Sequence, residues 1–297
     1  MRKQGINKII KKIISKTVPL FPRDFACKVR DRMRHDRNPL LVTVQDKFAV
    51  REYARVRGVR TARLLQVADS VDDLSWDRLP PECFIKTNNA SGRNVCRTKS
   101  LFYHFGHGAE LMLPNGEMDE AKAGLHLLSQ EKCIRRCREW LCMAYRKEEW
   151  VYHQMVPKLL VEETLTPRNG GELMDFRFFT FDGSVRAINV GSPAYRYRGE
   201  NVFLDPAWNP FGLTRYMESP NPVPERPDTL PEMLDIAAKL ARGLDFVRVD
   251  LYDTTDGVIL GEMTVYPEAG MRGTPTCCSR FNRWLGEQWK QEKRYYP

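Results

Sequence analysis

The stretch FVRVDLYDTTDGVILGEMTVY, residues 246–266, sets two acids and a base where a metal ion and a phosphate could be held together. Its halves read as strands joined by Thr255-Asp256-Gly257, a three-residue loop with glycine where a left-handed residue is wanted. Closing that loop pairs Thr254 with Val258, Tyr252 with Leu260, Asp250 with Glu262 and Arg248 with Thr264. One face then carries Val247, Val249, Leu251, Ile259, Met263 and Val265, which is core; the other carries Arg248, Asp250, Glu262 and Thr264. Carboxylates directly opposite each other repel, so this register predicts a cation between Asp250 and Glu262. Oxygen-only ligation suits Mg²⁺ completed by substrate phosphates, which Arg248 would also meet. An ordinary hairpin with a wet polar face is the plainer alternative.

Three further segments carry chemistry-bearing residues. FIKTNNASGRN places Lys86 on a strand, followed by a small loop whose N–H groups could cradle phosphates, although such Ser-Gly turns are common. LVEETL sets Glu162 and Glu163 at the end of an apolar strand, where a solvated strand end is the better account of Glu163. DFRFF alternates Asp175 and Arg177 against Phe176 and Phe178. An arginine on an interior strand face needs an anion, which Asp175 or a phosphate could supply.

Elements that would position these residues follow from periodicity and punctuation. Residues 42–57 read as one helix starting near Gln45 or Asp46 and ending at Gly58, with a strand over 59–67 after it. Residues 117–147 are mostly helical, and Asp182-Gly183 is a strong hairpin signal between two alternating strands. The region from Tyr197 to Pro231 is irregular and proline-rich, and a helix follows over 230–242, stopped by Gly243. Antiparallel hairpins flanked by helices define an α+β fold and argue against a doubly wound parallel sheet.

Charge is unevenly placed along the 297 residues. Residues 1–37 hold six Lys and six Arg against three Asp, while the other 260 balance at 35 basic and 35 acidic. Within this arm Ile6, Ile9, Ile10, Ile13 and Ile14 share one helical face, with lysines largely opposite, until Pro19 and Pro22. A basic amphipathic helix over residues 1–22 could lie on an anionic membrane surface or dock on its own domain. No recognised nucleic-acid module accompanies the charge, so nucleic acid is not expected as a partner. No apolar run of about 18 residues would span a bilayer. Eight cysteines without C-x-x-C spacing point to reduced thiols and a cytoplasmic protein, either free or peripheral at the inner face of the membrane. The histidines do not supply zinc-site spacing.

The blocks RNPLLVTVQDKFAVREY, LPPECFIKTNNASGRNV, EEWVYHQMVPKLLVEETL, DFRFFTFDG and FVRVDLYDTTDGVILGEMTVYPEAGM, in that order, resemble the TupA-like branch of the ATP-grasp superfamily, over about residues 38–275. The resemblance implies an α+β ATP-grasp fold with antiparallel sheets and ATP held between two subdomains. The corresponding division is a basic arm at 1–37, an N-terminal subdomain at 38–80, a lid subdomain at 81–160 and a catalytic subdomain at 161–297. It implies that Lys86, and Lys47 of the DK pair, contact nucleotide phosphates under a lid loop at Ser91-Gly92. By the same resemblance Glu162, followed by Glu163 or Leu165, lies at the hinge that reads adenine. Arg177 matches a basic site position, Arg248 the charge-stabilising arginine, and Asp250 and Glu262 the Mg²⁺ carboxylates. Thr264 stands where the wider superfamily usually has Asn as a third metal ligand, which leaves open whether one metal or two bind.

The activity this implies is an ATP-dependent carboxylate–amine ligase of bacterial surface polysaccharide assembly, acting on an anionic sugar or an amino acid through an acyl phosphate. A kinase acting on a sugar hydroxyl would use the same nucleotide site. A non-catalytic nucleotide-binding adaptor would show a broken metal pair, which Asp250 and Glu262 oppose. Tyr195, Arg196, Tyr197 and Arg198 would suit an anionic acceptor, or form a solvated basic loop.

Overall fold

The computed structural model describes residues 24–105, 120–171, 173–191, 202–211, 223–270 and 279–291. The isoleucine stripe, residues 195–198 and the Cys277-Cys278 pair lie outside these ranges. The first half of the chain forms α1 (Phe25–His35), α2 (Pro39–Gln45), α3 (Ala49–Arg55), β1 (Arg60–Thr61), β2 (Leu64–Ala68), β3 (Cys83–Thr87), β4 (Asn94–Thr98) and β5 (Leu101–Phe105). Next come α4 (Glu120–His126), β6 (Leu127–Leu128), α5 (Gln130–Cys142) and β7 (Leu159–Glu162). The rest forms β8 (Asp175–Phe181), β9 (Ser184–Gly191), β10 (Val202–Leu204), α6 (Leu230–Leu240), β11 (Phe246–Thr254), β12 (Gly257–Thr264) and α7 (Ser279–Gln288).

These strands make two six-stranded sheets, ordered β1-β12-β11-β8-β9-β10 and β2-β7-β3-β4-β5-β6. Apart from the short parallel pair β1–β12, the ladders are antiparallel. The expected strand over 59–67 is therefore two strands in two sheets: β1 pairs with β12, and two residues later β2 joins β7. The subdomain boundary expected at 160/161 also moves, because β7 lies between β2 and β3 in the second sheet. Its four residues are all buried, which is why the run is continuously apolar up to Glu162.

The single helix expected over 42–57 is broken into α2 and α3. Asn38 caps the first through Leu40 N, while the Asp46 carboxylate takes the Phe48 and Ala49 amides at the start of the second. The Asp182-Gly183 turn forms as expected, both residues having positive φ (47° and 76°), the conformation a two-residue hairpin favours.

The arm boundary expected at residue 37 falls inside the folded body. Phe25 is 1% exposed and meets Phe246 edge-on at 4.9 Å, with Phe179 and Phe181 about it. Arg32 is buried in an ion pair with Asp245, whose other oxygen accepts Trp289 Nε1 at 2.7 Å. Lys28 Nζ donates to Gly286 O at 2.8 Å, and Ala26 N to Asn282 at 2.9 Å. Several basic residues of 24–37 thus join the two ends of the chain instead of facing solvent. Cys83, Cys133 and Cys137 are buried thiols in the core of the second sheet.

Candidate functional site

The hairpin brings Asp250 and Glu262 opposite each other, with Arg248 opposite Thr264, as the sequence predicts, but by a different route. The turn is one residue shorter: Thr254 pairs with Gly257, and Tyr252 with Ile259. A bulge between Leu251 and Asp250 leaves Gly261 without a partner and brings the register back at the two acids. Ile259 is buried, as expected of a core residue, but it stands opposite Tyr252. The Tyr252 ring covers Gly261, where an added Cβ would lie 2.5 Å from the ring. Only glycine fits that bulge.

On its other side Asp250 pairs with Arg177 of β8. Arg177 donates to Asp175 Oδ2 from Nε at 2.8 Å and from Nη2 at 2.5 Å, and to Asn189 at 3.2 Å. The carboxylate alternative for its partner is thus the one realised. Arg248 binds Asp250 through Nε (2.7 Å) and Nη2 (2.5 Å), and Nη2 also reaches Glu262 Oε1 and Thr264 Oγ1, each at 3.0 Å. The cation that relieves the carboxylate pair here is this guanidinium. Burial would lower the Arg248 pKa, but Asp250 and Glu262 hold it above its usual value. Burial also pushes Asp250 up, to about 7, with Asp175 and Glu262 adding to the effect and Arg248 opposing it. For Glu262 burial is overcome by Lys47, Arg248 and Arg177, which hold it at about 2.

Lys47 links the two sheets. Its buried ammonium donates to Ala90 O at 2.6 Å and lies 3.7 Å from Glu262 Oε2. Burial lowers its pKa, Glu262 opposes that, and Lys86 adds to the lowering. Lys86 pairs with Glu162 at 2.5 Å, and Glu162 binds Arg51 through its other oxygen at 2.8 Å. Glu162 is 5% exposed, so in this state it is the shared counter-ion of two cations. Arg51 is a member the sequence reading missed. It looks like a surface residue of an amphipathic helix, and its partner is 111 residues away. Glu163 stands at the solvated strand end, paired with Arg63, and Leu165 is half-buried in the following loop. Ser91 and Gly92, both half-buried, follow Ala90 at the tip of the β3–β4 loop.

Asp250, Glu262 and Thr264 offer only oxygen donors, which fits a hard cation such as Mg²⁺. Glu262 is the open member, its side chain 31% exposed. Among the described residues no group of three or more His, Cys, Asp or Glu could hold a metal ion.

Two mostly antiparallel sheets with flanking helices carry these residues, the architecture expected of an ATP-grasp protein. The chain belongs to the TupA-like ATP-grasp family, which it matches over residues 27–290. No protein of curated function matches it. Among solved structures, D-alanine–D-alanine ligase from Bacillus anthracis complexed with ATP is 13% identical (91% of this chain, 74% of that one, TM-score 0.42). The corresponding ligase from Helicobacter pylori is 11% identical (92% and 68%, TM-score 0.43). The ATP-grasp ligase PsnB, complexed with minimal precursor, is 12% identical (84% and 62%, TM-score 0.40), so this chain spans less than two thirds of PsnB's length.

Proposed function

We propose that this protein is an ATP- and Mg²⁺-dependent ligase that joins a carboxylate, of a uronic or amino acid, to an amine in the assembly of bacterial surface polysaccharide. The observation that carries this reading is the convergence of Lys47, Arg177 and Arg248 about the Asp250–Glu262 pair, with Lys86 close enough to Lys47 to act on its charge. Such a site is built to hold a polyphosphate and to steady charge on a phosphoryl group in transit; its work is positioning and electrostatic stabilisation. Lys86 and Lys47 take the nucleotide phosphates, with Ser91 and Gly92 closing over them, and the strand end at Glu162 and Leu165 borders the base. Asp250 and Glu262, with Thr264, hold Mg²⁺, which when bound neutralises phosphate oxygens. Arg248 stabilises the group in transfer to the acceptor carboxylate, and attack of the amine on the acyl phosphate then releases phosphate. Arg177, fixed by Asp175, faces the acceptor side.

The lipid-linked setting of such chemistry suits a protein held at an anionic membrane surface. No helix among the described residues is long and apolar enough to cross a membrane. Residues 1–22, basic and amphipathic in sequence, would act peripherally. Mass-spectrometric screening of acid and amine pairs for condensation coupled to ADP release tests the activity. ADP release with a sugar alone, independent of any amine, would overturn the ligase in favour of a kinase.

A further inference from the structure

Asn88 is the most heavily engaged polar side chain around the phosphate-facing loop, yet nothing in the proposed chemistry uses it. It is fully buried, 0% exposed, at the point where β3 runs into that loop. Its Nδ2 donates to both oxygens of Asp46, at 3.0 and 3.1 Å, and to Val156 O at 3.0 Å. Its Oδ1 accepts Lys158 N at 2.7 Å, and its own N–H donates to Lys158 O at 3.2 Å. One side chain thus ties together the α2–α3 junction, the β3–β4 loop and the approach to β7.

The partners of Asn88 come in sequence with two other clasping residues. Gln45 accepts Val265 N at 2.8 Å, one residue beyond Thr264, and donates to Tyr152 OH at 2.9 Å. Asp46 grips Asn88, and Lys47 holds Ala90 O while facing Glu262. Three consecutive side chains therefore fasten the acid-bearing hairpin and the phosphate-facing loop to one short junction. A buried amide whose donor and acceptor are both engaged is held in one orientation, and the loop backbone with it.

We propose that Asn88, held by Asp46, is a positioning residue that sets the β3–β4 loop at its working distance from the Asp250–Glu262 hairpin. This rests on the nucleotide-site reading above, but its physical core, a loop pinned from the α2–α3 junction, does not. Asp46→Ser is the informative variant. Serine still caps α3 but is too short to keep the grip on Asn88. The first readout, on nucleotide-free protein, is hydrogen exchange of the amides at 88–92. The second is the split between KM for Mg²⁺-ATP and kcat for ADP release, alongside thermal unfolding.

The expected result is exchange at least about 10-fold faster in 88–92, from losing hydrogen bonds to a charged partner. KM for ATP should rise on the order of 10-fold, with kcat changed less and the unfolding temperature close to the parent's. Asn88→Asp sets like charges together and should show the same loop loosening, and Asp46→Asn combined with Asn88→Asp should recover part of it. Unchanged exchange in 88–92 for Asp46→Ser overturns the clasp, whatever the enzyme does. A parent protein that binds no ATP while Asp46→Ser loosens the loop overturns the nucleotide reading and leaves the clasp standing.

Discussion

Arg248 holds both oxygens of Asp250 in a forked pair, at 2.7 and 2.5 Å, and from the same Nη2 reaches Glu262 at 3.0 Å. Asp250 is 3% exposed, so the free site keeps its more buried acid neutralised by protein and leaves Glu262 as the carboxylate open to the cleft. A cation seeking both acids must draw Asp250 away from Arg248. A nucleotide entering with its metal would do this, because its phosphates would give Arg248 a new anion.

Glu262→Gln is accordingly the cleaner test of the metal assignment. It removes the open carboxylate from a half-exposed position and should lower Mg²⁺-dependent ADP formation at least 10²-fold while leaving thermal unfolding nearly unchanged. Asp250→Asn should be equally inactive but less stable, by about 2–4 kcal/mol, since it strips a buried arginine of its main partner. Near-parental ADP formation in either variant would refute the assignment.

Lys86→Ala and Arg248→Ala should separate binding from transfer. Lys86 stands on the second sheet beside Glu162, so its loss weakens ATP binding. Arg248 stands between the acids, so its loss slows transfer, on the order of 10²-fold or more. Equal losses of nucleotide affinity in the two variants, measured by titration, would contradict this division.

Gly261→Ala tests the bulge. The new methyl would meet the Tyr252 ring at 2.5 Å, and relief requires moving either the ring or the strand that carries Glu262. We expect a loss of about 1–3 kcal/mol, the usual cost of overpacking, with a drop in ADP formation that Tyr252→Ala partly reverses. An unchanged unfolding temperature would mean that the bulge relaxes freely.

This glycine also shows what the sequence could reveal. The opposition of Asp250 and Glu262 was legible because alternation and a turn signal are local. The inferred turn was one residue too long, and the same single residue reappears as the bulge, so the pairing held at the acids and slipped by one nearer the turn, where Tyr252 meets Ile259 and not Leu260. The pairing of Arg51 with Glu162 was not legible, because it depends on which strand neighbours β3. The burial of one face of residues 25–36 was hidden by their charge: Arg32 reads as a surface cation until Asp245 and Trp289 are placed beside it.

Glu149 predicts a pH dependence of stability. Its side chain is 5% exposed with Arg146 3.7 Å away, and burial raises it from the ordinary 4.5 to about 7. The folded state binds this proton more tightly than the unfolded chain does. Stability is therefore undiminished below pH 4.5, falls as pH rises from about 4.5 to 7, and stays lower above that. Glu149→Gln should match the parent near pH 4 and exceed it at pH 8 by up to about 3 kcal/mol. A stability difference independent of pH, measured by denaturant unfolding at both values, would rule this out.

Truncation separates the two halves of the basic N-terminal region. Residues 1–23 carry seven Lys and Arg and no acid, whereas 24–37 carry five basic residues against three Asp. In the second group Arg32, Lys28 and Arg30 are engaged by Asp245, by the Gly286 and Trp289 carbonyls and by Gly270 O, and Phe25 fills the core. Deleting residues 1–22 should leave a folded protein that still binds ATP. Deleting 1–36 should abolish cooperative unfolding, since it removes Phe25 and leaves Asp245 buried without its cation, losses of about 3–5 kcal/mol each. Each basic residue near an anionic bilayer contributes roughly 1 kcal/mol, screened by salt. Full-length protein should therefore sediment with anionic vesicles at low salt, release as salt rises, and lose the interaction in the 1–22 deletion. Vesicle binding that survives this deletion would place the contact on the body. Loss of folding on removing only 1–22 would mean instead that the isoleucine stripe is part of the core.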